Sequence, residues 1–283
     1  MLEPVVIENP DEMHAWSRGM LAARKSLGLV PTMGALHAGH RSLIERARRE
    51  NDAVTVSIYV NPTQFGPGED LDRYPRTFDG DKNICADAGV DCIFAPTTLY
   101  AQNARTFVEV IDLQDQLCGI SRPSHFRGVA TVVAKLFNIV QPTRAYFGQK
   151  DAQQLLIIET MVRDLNFAVQ IVPCEIVREP DGLALSSRNR YLSPKERKLA
   201  LAVPRALDCA RAAIKSGERD AMKLLGNMAN ILAENDAVEI DYCALVDAHT
   251  LEDLKTLKGD VLAAVAVKIG KTRLIDNARF ERL

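Results

Sequence analysis

Two histidines three residues apart, His37 and His40, lie in the string Val30-Pro31-Thr32-Met33-Gly34-Ala35-Leu36-His37-Ala38-Gly39-His40. The string leaves a short apolar run that reads as a strand and opens a run with helical spacing. In a first helical turn, residues three apart face the same way. A helix N-terminus also presents unbonded backbone N–H groups and the positive end of the helix dipole, both suited to phosphate. Gly34 and Gly39 let a ligand approach the backbone closely. Two imidazole donors placed there can hold a phosphoryl oxygen as negative charge grows on it. Two surface caps are the plainer reading, but the preceding strand and flanking glycines favour the phosphate site. Two histidines without a third ligand make a poor zinc site.

Three further segments carry chemistry. In Phe147-Gly148-Gln149-Lys150-Asp151-Ala152-Gln153-Gln154, Lys150 places a cation at a helix start. Dipole logic prefers an anion there, so a phosphate is the natural partner of both helix and lysine. Glu179-Pro180-Asp181-Gly182-Leu183-Ala184-Leu185-Ser186-Ser187-Arg188-Asn189 is a Gly- and Ser-containing loop followed by Arg. Hydroxyls and N–H groups can donate to a triphosphate while Arg188 neutralises it in bidentate fashion. Val60-Asn61-Pro62-Thr63-Gln64-Phe65-Gly66 ends another strand, and the Gln64 amide can both donate to and accept from a hydroxy acid. Arg122, His125 and Arg127, in the stretch 121–129, are further candidates to meet anionic groups.

These segments need strands and helices to hold them. Apolar runs at 27–31, 53–60, 91–95 and 144–147 read as buried parallel strands. Helical patterns at 39–50, 79–88, 126–140 and 152–165 alternate with them, with Leu43, Ile44 and Ala47 forming the inner stripe of the first. The expected fold class is α/β, a Rossmann-like doubly wound parallel sheet, with a second, smaller α+β C-terminal domain. In that part Ser193-Pro194-Lys195-Glu196 reads as a helix start, the helix running to about residue 216 with a break at Pro204. A helix at 220–234 and strands at 238–246, 261–269 and 272–276 follow. The expected domains are 1–176 and 177–283.

Composition excludes several classes. A chain of 283 residues has length for about two domains. With 47% hydrophobic and 25% charged residues it is neither disordered nor a coiled-coil rod. A formal net charge of −2 shows no basic excess for a nucleic-acid partner. The six cysteines have no C-x-x-C spacing and read as buried thiols of a reducing compartment. No secretory signal and no apolar run of membrane length is present, so a cytoplasmic protein without a membrane partner is expected.

His37-Ala38-Gly39-His40 resembles the His-x-Gly-His signature of the nucleotidylyltransferase superfamily, which includes the class I aminoacyl-tRNA synthetases. The longer string from Pro31 resembles the pantothenate synthetase (pantoate–β-alanine ligase) family. Asn61–Phe65 is similar to that family's Asn-Pro-x-Gln-Phe, and Tyr74-Pro75-Arg76-Thr77 to its string before an acidic helix. The stretch 121–129 is similar to a family segment near the substrate pocket, and Gly148–Gln154 resembles Gly-x-Lys-Asp-x-Gln-Gln. Ser186-Ser187-Arg188 stands where the class I synthetases carry a Lys-rich string. Matches are dense over about 25–193; beyond that the chain fits the family in length and coarse pattern only.

The resemblance implies an ATP-dependent ligase that condenses (R)-pantoate with β-alanine through a pantoyl-adenylate, releasing AMP and pyrophosphate. The domain 1–176 would bind ATP and pantoate, and 177–283 would act as a lid. The implied ATP-binding residues are Met33, Gly34, Ala35, Leu36, His37, Gly39, His40, Gly148, Gln149, Lys150, Asp151, Val177, Leu185, Ser186, Ser187 and Arg188. Among them His40, His37, Lys150 and Arg188 are implied to be catalytic. Gln64 and Gln154 would bind the pantoate and β-alanine substrates, and the protein would be a homodimer. Asp81 is implied to bind Mg²⁺, although many relatives carry an acidic residue just before it and this chain has Gly80. No acidic residue stands out as a base for the β-alanine step. The enzyme alternative is a nucleotidyltransferase that adenylates another small carboxylate or phosphate.

Overall fold

A computed structural model describes residues 3–283; residues 1 and 2, the start of the expected first domain, lie outside the described residues. The chain forms two compact units. The first comprises residues 3–114, Arg122–Gln149 and Gln153–Glu175; the second comprises Asp115–Ser121, Lys150–Ala152 and Ile176–Leu283. Two short segments thus leave the N-terminal part for the second unit, so no single boundary divides the chain.

The first unit holds β1 (Val5–Ile7), α1 (Pro10–Ala22), β2 (Leu27–Thr32), α2 (Ala38–Glu50), β3 (Ala53–Ile58), α3 (Phe78–Asp87) and β4 (Cys92–Phe94). After α4 (Cys118–Ser121), which belongs to the second unit, come α5 (His125–Val140), β5 (Arg144–Gly148), α6 (Ala152–Asp164) and β6 (Gln170–Cys174). The strands form one sheet in the order β1-β4-β3-β2-β5-β6, and every neighbouring pair is parallel. This is the expected Rossmann-like sheet. Strands buried on both faces need apolar residues throughout, and β3, Ala53-Val54-Thr55-Val56-Ser57-Ile58, is buried along all but its last residue.

Helix α2 buries Leu43, Ile44 and Ala47, the stripe the sequence predicts. Each large side chain so buried contributes roughly 1.5–3 kcal/mol. The exposed pairs Arg41–Glu45 and Arg46–Glu50 on its other face add only about 0.3–0.5 kcal/mol each. Strands β2 and β3 pair from Leu27↔Ala53 to Thr32↔Ile58, whereas β2 and β5 pair only at Gly28↔Arg144 and Leu29↔Ala145. The carboxyl halves of β2 and β5 therefore part. The strand order also reverses here, with β3 and β4 on one side and β6 on the other. In open parallel sheets that reversal point is where ligands enter.

The second unit holds α4, α7 (Pro194–Ala200), α8 (Ala202–Lys215), α9 (Ala221–Leu232), β7 (Val238–Asp247), β8 (Val261–Ile269) and β9 (Thr272–Phe280). The strands form an antiparallel sheet in the order β7-β8-β9. Val203, Leu207, Leu224 and Met228 of α8 and α9 share a buried cluster with Val261, Val265 and Leu274 of the sheet. Helix α7 starts in the expected capping box: Ser193 Oγ accepts from Glu196 N at 3.3 Å and Glu196 Oε2 accepts from Ser193 N at 2.8 Å. The break expected at Pro204 falls instead at Leu201. Pro204 is then in the first turn of α8, where a backbone N–H would have no helical acceptor, so the ring costs nothing.

Candidate active site

The loop after β2 is built against its neighbours before it offers anything to a ligand. Thr32 Oγ1 donates to Ser57 O at 2.7 Å and accepts from Gly34 N at 3.1 Å. Gly34 and Ala35 then take left-handed conformations, with φ of 80° and 51°. A Cβ on Gly34 would also lie 3.0 Å from Asp81 Oδ2 and 3.2 Å from Ile58 Cγ2, so glycine is required by space as well as by conformation. The turn is clamped by Asp81 of α3. Its carboxylate accepts from Ala35 N at 2.9 Å, Leu36 N at 2.8 Å and Thr77 Oγ1 at 3.2 Å.

This clamp engages the carboxylate that the resemblance assigns to the metal. The residue is 2% exposed and both of its oxygens serve the loop. Among the described residues no group of three or more His, Cys, Asp or Glu side chains is gathered to hold an ion. The residues present do not fit a protein-held magnesium site.

The loop delivers the histidine pair to the N-terminus of α2. His37 is the cap, and its Nδ1 accepts from Gly39 N at 3.1 Å. His40 Nδ1 accepts from His37 N at 3.3 Å. The ring centroids are 4.1 Å apart, tilted by 32°. An Nδ1 that accepts a hydrogen bond carries no proton, so each neutral ring carries its N–H on Nε2. The helix cap therefore sets the tautomer of both histidines and turns them into paired N–H donors. The first turn of α2 has no acidic side chain, so no carboxylate there offsets the positive end of the dipole.

Beside this loop, Gln64 is 9% exposed in a tight turn after β3. Its Nε2 donates to Met33 Sδ at 3.2 Å, so two residues the sequence assigns to different substrates meet. Its Oε1 accepts from Asn61 Nδ2 at 3.0 Å, which fixes the amide's orientation. Asn61, 1% exposed, also donates to Gly128 O at 3.1 Å. Gly128 is where α5 crosses the turn: a Cβ there would lie 2.5 Å from Thr63 O. Arg122 Nη1 lies 3.0 Å from His125 Nε2 and must be the donor, so His125 donates from Nδ1 to Gln64 O at 2.8 Å. Arg122 also grips Glu69 with Nε and Nη2, at 2.7 and 2.6 Å. Burial raises the Glu69 pKa, but its bonds with Arg122 win and hold the carboxyl below its usual range. Arg122 and His125 thus brace the glutamine turn. On α6, Gln154 is half-buried, while its neighbour Gln153 is buried and donates to Leu113 O at 2.8 Å.

The second unit carries the other phosphate candidates. Lys150, in a short 3₁₀ turn (Gln149–Asp151) past β5, has a side chain 19% exposed, with Nζ 3.8 Å from Asp151 Oδ1. Val177 and Leu185 pair across a hairpin, Leu185 N donating to Val177 O at 2.9 Å. Gly182, at φ 90°, turns it. Ser186 caps the next 3₁₀ turn (Ser187–Tyr191), its Oγ accepting from Arg188 N at 3.3 Å. Arg197 holds the hairpin, reaching Glu179 at 2.8 Å and Asp181 at 2.6 Å. Hydrogen bonds from Arg197 keep both carboxyls below their ordinary values.

The structure therefore gathers Met33, Gly34, Ala35, Leu36, His37, Gly39, His40 and Gln64 around the loops after β2 and β3 in the first unit, and Lys150, Asp151, Val177, Leu185, Ser186, Ser187 and Arg188 fall in the second. Gly148 and Gln149 end the first unit's path along β5. Sequence reasoning missed Asn61 and the hydrogen bonds by which Asp81 holds the loop after β2. The Asn-Pro pair at 61–62 signals a turn, but nothing in a sequence says that a turn asparagine will be buried. All six cysteines are thiols rather than disulfides, and burial pushes Cys85 and Cys92 up to about 12, which makes them inert.

A family model described as Pantoate-beta-alanine ligase matches residues 5–279. A pantothenate synthetase of Thermotoga neapolitana is 55% identical over 274 residues, covering 96% of this chain and 98% of the relative. Another, of Acetivibrio thermocellus, is 53% identical over 279 residues, 98% of this chain and 99% of its own. The crystal structure of pantothenate synthetase from Thermus thermophilus superposes with a TM-score of 0.91 at 46% identity, covering 97% of this chain and 98% of that one. The pantoate-beta-alanine ligase of Francisella tularensis, crystallised with beta-gamma ATP and beta-alanine, gives 0.78 at 34% identity, covering 97% of each chain. No helix among the described residues is long and apolar enough to cross a membrane.

Proposed function

The chain belongs to the pantoate-beta-alanine ligase family, and from that premise we propose that it activates pantoate as a pantoyl-adenylate before the amine attacks. The overall reaction is the ATP-dependent joining of pantoate to β-alanine. In the first step a pantoate carboxylate oxygen bonds to the α-phosphorus and the bond to pyrophosphate breaks. In the second, the β-alanine nitrogen bonds to the acyl carbon, AMP leaves and the amine proton passes to solvent.

The observation that carries this reading is the tautomer-locked pair His37 and His40 at the start of α2, whose first turn carries no acidic side chain of its own. Such a pair suits charge growing on α-phosphate oxygens, where catalysis rests on positioning and electrostatics. We assign His40 as the main phosphate ligand with His37 beside it. On the resemblance, the nucleotide-binding residues are those of Met33 to Gly39 together with Gly148 and Gln149 in the first unit, and Asp151, Val177 and Leu185 in the second. Lys150, Ser186, Ser187 and Arg188 take the β- and γ-phosphates. Gln64 and Gln154 hold pantoate. Asp81 is spent on its loop, so magnesium would travel with the triphosphate and water rather than on a protein site. A homodimer, on the family resemblance, and a cytoplasmic location, on six cysteines kept as thiols, belong to the same reading.

The test is release of pyrophosphate and AMP from ATP, Mg²⁺ and pantoate, with and without β-alanine. Pyrophosphate should require pantoate, and AMP turnover should require β-alanine as well. Pyrophosphate appearing without pantoate would overturn the assignment.

A further inference from the structure

We propose that Asp276 and Asn277, adjacent residues of β9, are positioning residues that set two nucleotide-binding segments in place. The proposal rests on the assignment of Lys150 and of Ser186 to Arg188 made above. It concerns a part of the chain in which the sequence shows no motif.

Two consecutive buried polar residues are unusual in an edge strand, and these are 2% and 6% exposed. Each reaches a different segment. Asn277 Nδ2 donates to the peptide carbonyl of Lys150 at 2.9 Å. Asp276 takes the fork of Arg178, Nη1 on Oδ2 at 2.7 Å and Nη2 on Oδ1 at 3.0 Å. Arg178 Nη1 donates in turn to Gly182 O at 2.9 Å, at the tip of the hairpin that leads into Ser186. Asp276 Oδ1 also accepts Asn277 N at 2.8 Å, which ties the two anchors together. Neighbours on a strand point to opposite faces, so one dipeptide can serve two segments. On the lysine side the held group is a peptide, not the ammonium. The anchor therefore fixes where the Lys150 side chain starts and leaves its charge for the nucleotide. Misplacing a reacting or charge-stabilising group by about 1 Å costs on the order of 100-fold in rate.

The experiment is pantoate-dependent exchange of labelled pyrophosphate into ATP, with Asn277→Ala and Asn277→Asp. The second keeps the side-chain volume but removes the donor, so it carries the same expectation should the first fold poorly. We expect kcat to fall about 10- to 100-fold, with the KM for pantoate within about twofold and thermal unfolding still cooperative. In a Lys150→Ala background the second substitution should cost almost nothing further, which a merely structural role would not produce. Wild-type exchange in both Asn277 variants would overturn the inference alone, as would an undiminished loss in the Lys150→Ala background. Absence of exchange in the unsubstituted protein would instead sink the assignment of Lys150, and this inference with it.

Discussion

Replacing Asp81 by Asn separates the loop clamp from a metal ligand. The carboxylate is 2% exposed and accepts from two backbone N–H groups, at 2.9 and 2.8 Å, and from the Thr77 hydroxyl. Asparagine keeps the shape but exchanges one oxygen for an NH₂. Either way round, a buried donor then faces Ala35 N or Leu36 N. One unpartnered buried N–H costs about 1–3 kcal/mol, and the surviving bonds lose the extra strength of a charged acceptor, about 1 kcal/mol. A total near 3 kcal/mol corresponds to a fall of roughly 6–12 °C in the unfolding midpoint for a unit of this size. The loop also holds Ala35 at φ 51°, a conformation that costs an alanine about 1–2 kcal/mol. A weakened clamp lets it relax and moves the His37 cap. Calorimetry and a Mg²⁺ titration of pyrophosphate release test this: the midpoint and kcat should fall while the Mg²⁺ requirement stays put. An unchanged midpoint with a raised Mg²⁺ requirement would refute the reasoning and return Asp81 to the metal.

Other perturbations follow from the same geometry. His40→Ala should lower pantoate-dependent pyrophosphate release by about 10²–10³-fold while nucleotide affinity, measured by calorimetry, changes far less. Gly128→Ala places a Cβ 2.5 Å from Thr63 O. Steady-state kinetics should show a raised KM for pantoate, and stability should drop by about 1–3 kcal/mol. Glu179 and Asp181 have folded pKa values depressed below 4.5 and 3.8 by Arg197. Their contribution is present above those values and is lost as pH falls through the folded ones, so Glu179→Gln should flatten the acid limb of a urea-unfolding series below about pH 4.5. Hydrogen exchange across 180–190 should slow when ATP and pantoate are added together; unchanged exchange would count against the hairpin's role.

The parts of the fold legible in the sequence are those with strong apolar periodicity. β2, β3 and β5 are continuous buried runs, and the inner stripe of α2 is plain. The two outer strands of the parallel sheet are illegible for local reasons. β1 is three residues long with Val5 and Val6 exposed, and β6 contains Pro173, which argues against a strand. Helix α1 buries only Met13 and Ser17, so it shows no stripe. In the site, the histidine pair is legible because glycines and a strand end flank it. Asp81 is not, because its partners are backbone N–H groups 45 and 46 positions away, which leave no mark on residue type. Asn277 is hidden for the same reason.

The long separations in the second unit order events during synthesis. The carbonyl of Lys150 waits for an amide 127 positions downstream, and Cys118 waits for Tyr242 and Arg273, 124 and 155 positions further on. At about 5–20 residues per second, the ribosome needs roughly 6 to 25 s to make the stretch between Lys150 and its anchor. The strands of the parallel sheet, complete at Cys174, have all emerged by then. The strands of the parallel sheet are therefore all synthesised well before the residue that anchors Lys150. Products cut short ahead of β9 carry every strand of the parallel sheet yet lack the amide that holds the Lys150 carbonyl.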